Sequence, residues 1–174
     1  SFNRDKARLL YQLGFRRASV GIQDFDADVL RIINRRQPAA LSIETVSYLR
    51  AIGYDRINFD LIYGLPEQKP KQFEKTIQKV IELKPNRIAL YGYAHVNWKA
   101  RAQNHFADYH LPTPQERIEL FQLGLDAFEG AGYQYIGLDH FALPDDELYR
   151  AHRGGALRRN FMGYTAGNEE NSFF

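Results

Sequence analysis

Short apolar segments alternate along the chain with longer segments whose hydrophobic residues recur every three or four positions. The short segments are rich in β-branched and aromatic residues, as strands are, and the longer ones have the spacing of amphipathic helices. The predicted strands cover 17–23, 56–63, 87–94 and 134–141. The predicted helices cover 3–13, 26–35, 41–52, 70–83, 114–131 and 145–156, and 95–111 is predicted to be irregular.

The boundaries of several predicted helices carry local signals. Thr113 is a candidate N-cap, Pro114 suits the first helical position, and Glu116 stands where a capping box needs an acid. Gln37 and Pro38 separate the second helix from the third, because proline lacks the N–H group that a helix interior requires. The pattern therefore predicts two separate helices between the first two strands and a well-capped helix from 114.

Helices and strands alternate along the chain, which indicates an α/β fold. Consecutive strand–helix units usually form a parallel sheet that is covered by helices. Four such units amount to about half of an eightfold barrel, which takes about 250 residues. We therefore expect one domain over 1–165, a partial (β/α) barrel with about four parallel strands and covering helices, followed by an irregular tail over 166–174.

The first two predicted strands have one apolar and one polar face, because successive strand residues point to opposite sides. The polar faces carry Ser19, Gly21 and Gln23 on the first strand, and Asn58 and Asp60 on the second. A barrel interior is usually filled by Val, Ile and Leu. Asp60 and Gln23 therefore indicate either a polar ligand inside the barrel or a buried carboxylate that an arginine or backbone N–H groups satisfy. The pattern leaves both interpretations open.

Several histidines, tyrosines and arginines are weaker candidates for functional residues. Histidines follow two strands, where barrel enzymes place their chemistry, tyrosines can stack on a flat ligand, and arginines can bind carboxylates. A structural role in the core or on a solvated helix end is the simpler interpretation for each. These residues are His95, His140, Tyr63, Tyr91, Tyr93, Arg150, Arg153, Arg158 and Arg159.

Composition narrows the classes of function. The net charge of +2 is too small to favour nucleic acid, and no apolar run approaches the roughly 18 residues of a membrane span. The chain has no cysteine, so it can form neither a disulfide nor a thiolate metal site by itself. It opens on Ser1, has its only methionine at Met162 and shows no signal-peptide pattern, so we expect an internal piece of a longer protein.

Several segments resemble the oxygen-independent coproporphyrinogen III oxidases, a family of radical S-adenosylmethionine (SAM) enzymes. The early segments are shared with related radical SAM proteins, whereas the last two are more specific to the oxidases. The segments are LGFRRASVGIQDFDADVLRIINRRQ at 13–37, INFDLIYGLPEQ at 57–68, YAH at 93–95, GYQYIGLDHFALPDDEL at 132–148 and RRNFMGYT at 158–165. The resemblance extends from Leu13 to Thr165.

The resemblance implies a partial β/α barrel of the radical SAM type, a [4Fe–4S] cluster on a Cys-x3-Cys-x2-Cys loop and two bound SAM molecules. In the implied reaction, a 5′-deoxyadenosyl radical takes hydrogen from a propionate of coproporphyrinogen III. Two propionates become vinyl groups, which gives protoporphyrinogen IX in anaerobic haem biosynthesis. The cofactors supply this chemistry and the protein orients them. The resemblance also implies an electron donor for the cluster, a cytoplasmic location and a monomeric full-length enzyme without nucleic-acid or membrane partners.

The resemblance also assigns four positions of this chain to the second SAM. Gln23 matches the glutamine of the family's GVQDF stretch, and Arg35 matches the arginine of its NRxQ stretch. Asp60 matches the aspartate of its DLIYGLP stretch, and Ala94 matches a backbone contact in its YAH stretch. No catalytic residue and no metal ligand is assigned to this chain.

The match to the family is incomplete at both ends of the chain. The family's cluster loop would precede Ser1, and 167–174 does not continue the family pattern, so we expect the chain alone to be inactive. One alternative is a haem chaperone-like protein of the radical SAM family, which binds and transfers its ligand, although the RNFMGYT stretch argues against it. The other alternative is a non-catalytic half-barrel scaffold, which a cysteine loop upstream would exclude.

Overall fold

The structure is a computed structural model that describes residues 2–35, 38–96, 101–160 and 163–165. The helices are α1 (Arg4–Gln12), α2 (Ala27–Ile32), α3 (Ala39–Ala51), α4 (Pro70–Leu83), α5 (Pro114–Gly130) and α6 (Glu147–Arg153), with a 3₁₀-helix at Arg101–Asp108. The strands are β1 (Arg17–Gln23), β2 (Arg56–Tyr63), β3 (Arg87–Gly92), β4 (Gln134–Gly137), β5 (His140–Ala142), β6 (Arg158–Asn160) and β7 (Gly163–Thr165).

Five strands form one sheet in the order β1-β2-β3-β5-β4, and β6 and β7 form a separate antiparallel hairpin. The first three strands are parallel, with Ser19 opposite Asn58, Gly21 opposite Asp60, and Asp60 opposite Ala89. The helices that connect these strands cover one face of the sheet. The prediction of an α/β partial barrel with parallel strands is therefore confirmed for its first three strands.

The predicted fourth parallel strand over 134–141 is wrong in its direction. The segment folds into a hairpin of β4 and β5, and β5 runs antiparallel to β3. The chain reverses at Gly137 and Leu138, which have positive φ values of 125° and 52°. The apolar pattern continues through the turn, and Leu138 is a residue type that rarely adopts positive φ. The sequence pattern alone therefore gives no reason to break the strand.

Other predicted boundaries agree closely with the structure. Thr113 and Glu116 form the complete capping box at the start of α5. The third strand ends at Gly92, two residues before its predicted end, and the segment predicted to be irregular contains the 3₁₀-helix. Pro38 is the N-cap of α3. Gln37, Met162 and the predicted tail over 166–174 lie outside the described residues.

The core lies between the covered face of the sheet and helices α3, α4 and α5. Alternate residues of β1 to β3 point into it, and α4 contributes the apolar stripe that its sequence predicts. Each such side chain, when fully buried, contributes about 1.5–3 kcal/mol. These residues include Ile22, Ile57, Phe59, Leu61, Phe73, Ile77, Val80, Ile88, Leu90, Leu120 and Phe128. Among the described residues, no helix combines the length and apolarity needed to cross a lipid bilayer.

Four charged residues, which we call the Asp146 clasp, fix α6 against the amino-terminal ends of β1 and β3. The Nε atom of Arg87 donates a hydrogen bond to Oδ1 of Asp146 at 2.7 Å, and its Nη2 atom donates to Oε1 of Glu147 at 3.1 Å. Arg17 also pairs with Glu147. Asp146 is fully buried and caps α6 by accepting from the Leu148 N–H group at 2.8 Å. Fixing α6 in this way also places the residues after it beside the open face of the sheet.

Candidate functional site

The open face of the parallel strands carries a closed hydrogen-bond network of Ser19, Asn58 and Asp60. The hydroxyl of Ser19 donates to Oδ2 of Asp60 at 2.7 Å. The Nδ2 atom of Asn58 donates to Oδ1 of Asp60 at 2.7 Å and to the Ser19 hydroxyl oxygen at 2.9 Å. These three side chains share one face because β1 and β2 are parallel and in register.

Gln23 and Arg35 converge over Gly21, the residue of β1 that pairs with Asp60. The Nη2 atom of Arg35 donates to the Gly21 carbonyl oxygen at 2.6 Å. A Cβ atom on Gly21 would lie 3.2 Å from Nη2 of Arg35 and 3.3 Å from both polar atoms of the Gln23 amide. Glycine at this position therefore gives the guanidinium and the amide room to approach the sheet.

The end of β1 has an unusual backbone that keeps Gln23 on the open face. The pairing with β2 shifts between Gly21 and Gln23, so that Gln23 stands opposite Leu61. Gln23 also has a φ of 62°, in the left-handed region that residues other than glycine seldom adopt. Its Oε1 atom is buried and has no hydrogen-bond partner among the described residues. Strained backbone and an unpaired buried polar atom are both typical of ligand sites.

Asp24, the next residue, is the anchor that holds this backbone in place. It is 1% exposed and accepts hydrogen bonds from the hydroxyl of Thr76 and from Nε2 of Gln68, the latter at 2.6 Å. It also accepts from the N–H groups of Phe25 and Asp26 at 2.6 and 2.9 Å. Burial raises the pKa of Asp24, and its four hydrogen bonds act in the opposite direction. The carboxylate thus ties the end of β1 to α4 and to the loop after β2.

Two cavities adjoin β1, and Arg17, Ala18 and Ser19 line both of them. The first has a volume of about 470 Å³ and is lined by Asn58 and Asp60 among others. The second, of about 440 Å³, lies beside α1 and is lined by Gly21 and Arg35 among others. Asp60 and Arg35 thus line different cavities, which share Arg17, Ala18 and Ser19.

Ala94 lies at the same edge of the sheet but does not join this group. It stands two residues beyond the end of β3, and its carbonyl oxygen accepts a hydrogen bond from Nε2 of Gln103 at 3.2 Å. The Oε1 atom of Gln103 accepts from the Val96 N–H group at 2.6 Å. The described residues show no contact between Ala94 and Gln23, Arg35 or Asp60. Of the four assigned positions, Gln23 and Arg35 meet at Gly21, Asp60 lies opposite Gly21 on β2, and Ala94 follows the end of β3.

Tyr91 and His140 line the first cavity next to Asp60. Their rings meet edge to face with centroids 6.2 Å apart, and Tyr164 packs against the other side of the imidazole at 5.8 Å. Burial lowers the pKa of His140, although nearby Asp139 and Asp60 raise it. Burial and the charge of Asp60 raise the pKa of Tyr91. The Nδ1 atom of His140 is buried without a partner among the described residues.

The other candidate residues make contacts typical of structural side chains. Tyr63 packs against Phe121 of α5 with ring centroids 5.5 Å apart. The Tyr93 hydroxyl lies 3.3 Å from Nδ1 of His95. The arginines at 150, 153 and 158 are exposed, and the structure does not describe the side chain of Arg159. Within the described ranges no group of three His, Asp or Glu residues could hold a metal ion.

The anchoring role of Asp24 and the network of Ser19 and Asn58 are not apparent from the amino-acid sequence alone. Alternation along the strands does place Ser19 and Asn58 on the polar face, so the signal was present once the register was known. Asp24 carries no such signal, because its partners Gln68 and Thr76 lie more than forty positions away. Local pattern cannot show that these distant side chains meet.

Comparison with known proteins shows which families the chain resembles. Residues 1–80, which extend from α1 through β2 into most of α4, match the radical SAM superfamily. The first part of the chain is therefore similar to radical SAM proteins. SAM and a [4Fe–4S] cluster are the cofactors that this superfamily uses in general. The absence of cysteine means that a thiolate-held cluster does not fit the residues of this chain.

The chain is also similar to oxygen-independent coproporphyrinogen III oxidases. It is 45% identical to that of Paracoccus denitrificans over 163 residues, covering 92% of this chain and 36% of the relative. It is also 45% identical to that of Escherichia coli over 152 residues, covering 87% of this chain and 33% of the relative. The chain thus spans about a third of the length of these curated relatives.

Two solved structures support the same fold. The chain matches coproporphyrinogen III oxidase from Escherichia coli with a TM-score of 0.92 and 41% identity, over 97% of this chain and 39% of that one. It also matches Elp3 of Methanocaldococcus infernus with a TM-score of 0.58 and 16% identity, over 70% of this chain and 29% of that one. The second match shows a shared fold alone.

Proposed function

We propose that this chain supplies the binding site for the second SAM molecule of an oxygen-independent coproporphyrinogen III oxidase. The full-length protein would convert two propionates of coproporphyrinogen III to vinyl groups, in anaerobic haem biosynthesis. The proposal rests on the 45% identity to enzymes of that name. It also rests on the convergence of Gln23, Arg35 and Asp60, the positions that the family resemblance assigns to this SAM.

The observation that carries the proposal is the Oε1 atom of Gln23, which is buried without a hydrogen-bond partner in the described part of the chain. A buried amide oxygen without a partner costs free energy, so a ligand that donates a hydrogen bond to it is favoured. SAM has an ammonium group and ribose hydroxyls that can donate, and a carboxylate that can accept. The residues around Gln23 offer matching groups, because Arg35 is a donor and Asp60 is an acceptor.

Each of these side chains has capacity left for a ligand. Arg35 uses Nη2 for the Gly21 carbonyl oxygen, and its other N–H groups can pair with a carboxylate. Asp60 accepts one bond on each oxygen and retains lone pairs for hydroxyl or ammonium donors. When bound, SAM and a [4Fe–4S] cluster supply radical chemistry that removes hydrogen from the substrate. This chain contributes no thiolate, so its part is to bind and orient rather than to hold the cluster.

The substitutions Asp60→Ala and Arg35→Leu in the full-length protein test this assignment. Each substitution removes one of the two charged side chains that would contact the ligand. We expect one of the two SAM molecules to bind much more weakly, so that bound SAM falls from two to one at concentrations that saturate the wild-type protein, and vinyl formation to be abolished. Iron and sulfide content should remain at the wild-type level, since no cluster ligand lies in this chain. The measurements are equilibrium dialysis with labelled SAM, metal analysis and product yield under anaerobic reduction.

Matched controls come from the exposed ion pair of α2. Asp28 and Arg31 are 3.3 Å apart on the surface, so Asp28→Ala and Arg31→Leu should leave SAM stoichiometry and product yield unchanged. Two equivalents of SAM and full product yield in Asp60→Ala would contradict the proposed site. Loss of iron and sulfide together with activity would instead show that Asp60 maintains the fold.

A further inference from the structure

The carboxylate of Asp60 is held on both sides by side chains that the family resemblance does not assign. Ser19 donates to one oxygen and Asn58 to the other, each at 2.7 Å. Asn58 also donates to the Ser19 hydroxyl oxygen at 2.9 Å. Three residues are therefore joined by three hydrogen bonds into a closed triangle.

The donors and acceptors of this triangle fit in only one arrangement. Both N–H bonds of the Asn58 amide are used, one on Ser19 and one on Asp60. If the amide were flipped, its oxygen would face the Asp60 carboxylate, and two acceptors would meet. With Asn58 donating to Ser19, the Ser19 hydroxyl hydrogen is free to point at Asp60. The network therefore fixes the plane of the Asp60 carboxylate.

The triangle borders both cavities through Ser19, one of three residues, with Arg17 and Ala18, that line both. Asp60 and Asn58 line the first cavity, whereas Arg35 lines the second. Donors occupy only one acceptor site on each Asp60 oxygen, and a carboxylate has about four such sites. The sites that remain are available on the cavity side of the sheet.

We propose that Ser19 and Asn58 are positioning residues that hold the Asp60 carboxylate in the orientation that accepts hydrogen bonds from SAM. This inference rests on the proposed function, because it requires that Asp60 contact SAM. Ser19 and Asn58 act through Asp60, and the groups they orient it toward are hydroxyl or ammonium donors. A carboxylate that rotates freely loses part of its affinity, because the ligand must then order it on binding.

Equilibrium binding of SAM to the full-length holoenzyme, measured by calorimetry, tests this inference. Because the proposed enzyme binds two SAM molecules, the Kd to compare is that of the molecule whose binding Asp60→Ala weakens. Ser19→Ala and Asn58→Ala each remove a hydrogen bond to a charged group, so each should raise that Kd about tenfold. Ser19→Thr keeps the hydroxyl and should restore binding close to the wild-type value. The exposed residues Ser47 and Asn104 provide matched controls, since Ser47→Ala and Asn104→Ala should leave Kd unchanged.

A double-mutant cycle distinguishes positioning from a direct contact or a structural role. If Ser19 acts through Asp60, then Ser19→Ala should add nothing to the effect of Asp60→Ala, whereas independent contacts add their effects. Additive effects, or unchanged binding in both Ser19→Ala and Asn58→Ala, would overturn the positioning role and leave the proposed site intact. Unchanged binding in Asp60→Ala would overturn both the site and the positioning role. Urea unfolding of each variant separates lost affinity from lost stability.

Discussion

Asp24 directly follows β1 and Asp60 lies on β2, and the two carboxylates differ in how many further hydrogen bonds they can accept. Asp24 is 1% exposed and accepts four hydrogen bonds, all from within the chain. Asp60 is half-buried, accepts two, and faces a cavity. Asp24 is thus satisfied by the fold, whereas Asp60 keeps acceptor sites for a ligand. Aspartate therefore stabilises the fold at position 24, whereas at position 60 it has acceptor capacity left for the ligand that we propose.

The largest expected effect is the loss of stability on removing Asp24. Asp24→Ala leaves the Gln68 amide, the Thr76 hydroxyl and two backbone N–H groups without their acceptor in a buried place. We expect the free energy of unfolding to fall by about 3–5 kcal/mol. Asp60→Ala should cost about 1 kcal/mol, because water can reach its partners. Urea unfolding followed by circular dichroism measures both.

The exposed Asp28 serves as the control for this comparison, since Asp28→Ala removes only a surface ion pair. Equal losses of stability in the Asp24→Ala and Asp60→Ala proteins would remove the distinction between an anchoring and a binding carboxylate.

A smaller effect is expected from Gly21→Ala, which tests the binding side of the comparison. The new Cβ atom would lie 3.2–3.3 Å from Arg35 and Gln23, closer than ordinary van der Waals contact. Both side chains must then move by a few tenths of an ångström. We expect SAM affinity to fall while the free energy of unfolding changes by less than about 1 kcal/mol. Gly130→Ala is the control, because a Cβ at Gly130 meets nothing within 4 Å. Unchanged affinity in Gly21→Ala would show that Arg35 and Gln23 need no close approach to the sheet.

The smallest effect concerns His140, which shares its cavity with Asp60. Burial lowers the pKa of His140 below the ordinary value of 6.5, so the unfolded chain takes up a proton that the folded chain resists. The free energy of unfolding should therefore decline as the pH falls below about 6.5. His140→Phe should lack this part of the decline. Unfolding curves measured from about pH 8 to about pH 5 give the comparison, and parallel curves would contradict it.

NMR titration of the His140 ring sharpens the same point. The charge of Asp60 raises the pKa of His140, so Asp60→Asn should lower it further, and Asp28→Asn should leave it unchanged. An unchanged His140 pKa in the Asp60→Asn protein would show that the two side chains do not interact.

Much of the fold could be predicted because the chain alternates helices and strands with clear periodicity. The capping box at Thr113 and the apolar stripe of α4 are local signals, and the structure bears out both. The hairpin of β4 and β5 escaped prediction because an apolar residue, Leu138, occupies a turn position that favours glycine or asparagine. Strand direction is set there by a turn and by pairing with β3, and neither is visible in periodicity.

The candidate site was predictable in part. Alternation along β1 and β2 placed Gln23 and Asp60 on one polar face, and the resemblance to a family added Arg35 and Ala94. The hydrogen bond from Arg35 to Gly21 spans fourteen positions and depends on how the chain returns after α2. The assignment of these four positions to SAM stays a prediction.

The Asp146 clasp has a consequence for the order in which the chain folds. Arg17 and Glu147 are separated by 130 positions, among the longest separations of any side-chain contact in the protein. Closing so long a loop costs conformational entropy before any contact repays it, and such distant contacts slow folding. The parallel strands need far shorter loops, so they can assemble before α6 arrives. The contacts of the clasp are therefore expected to form late in folding, and substitutions in it should accelerate unfolding more than they slow folding.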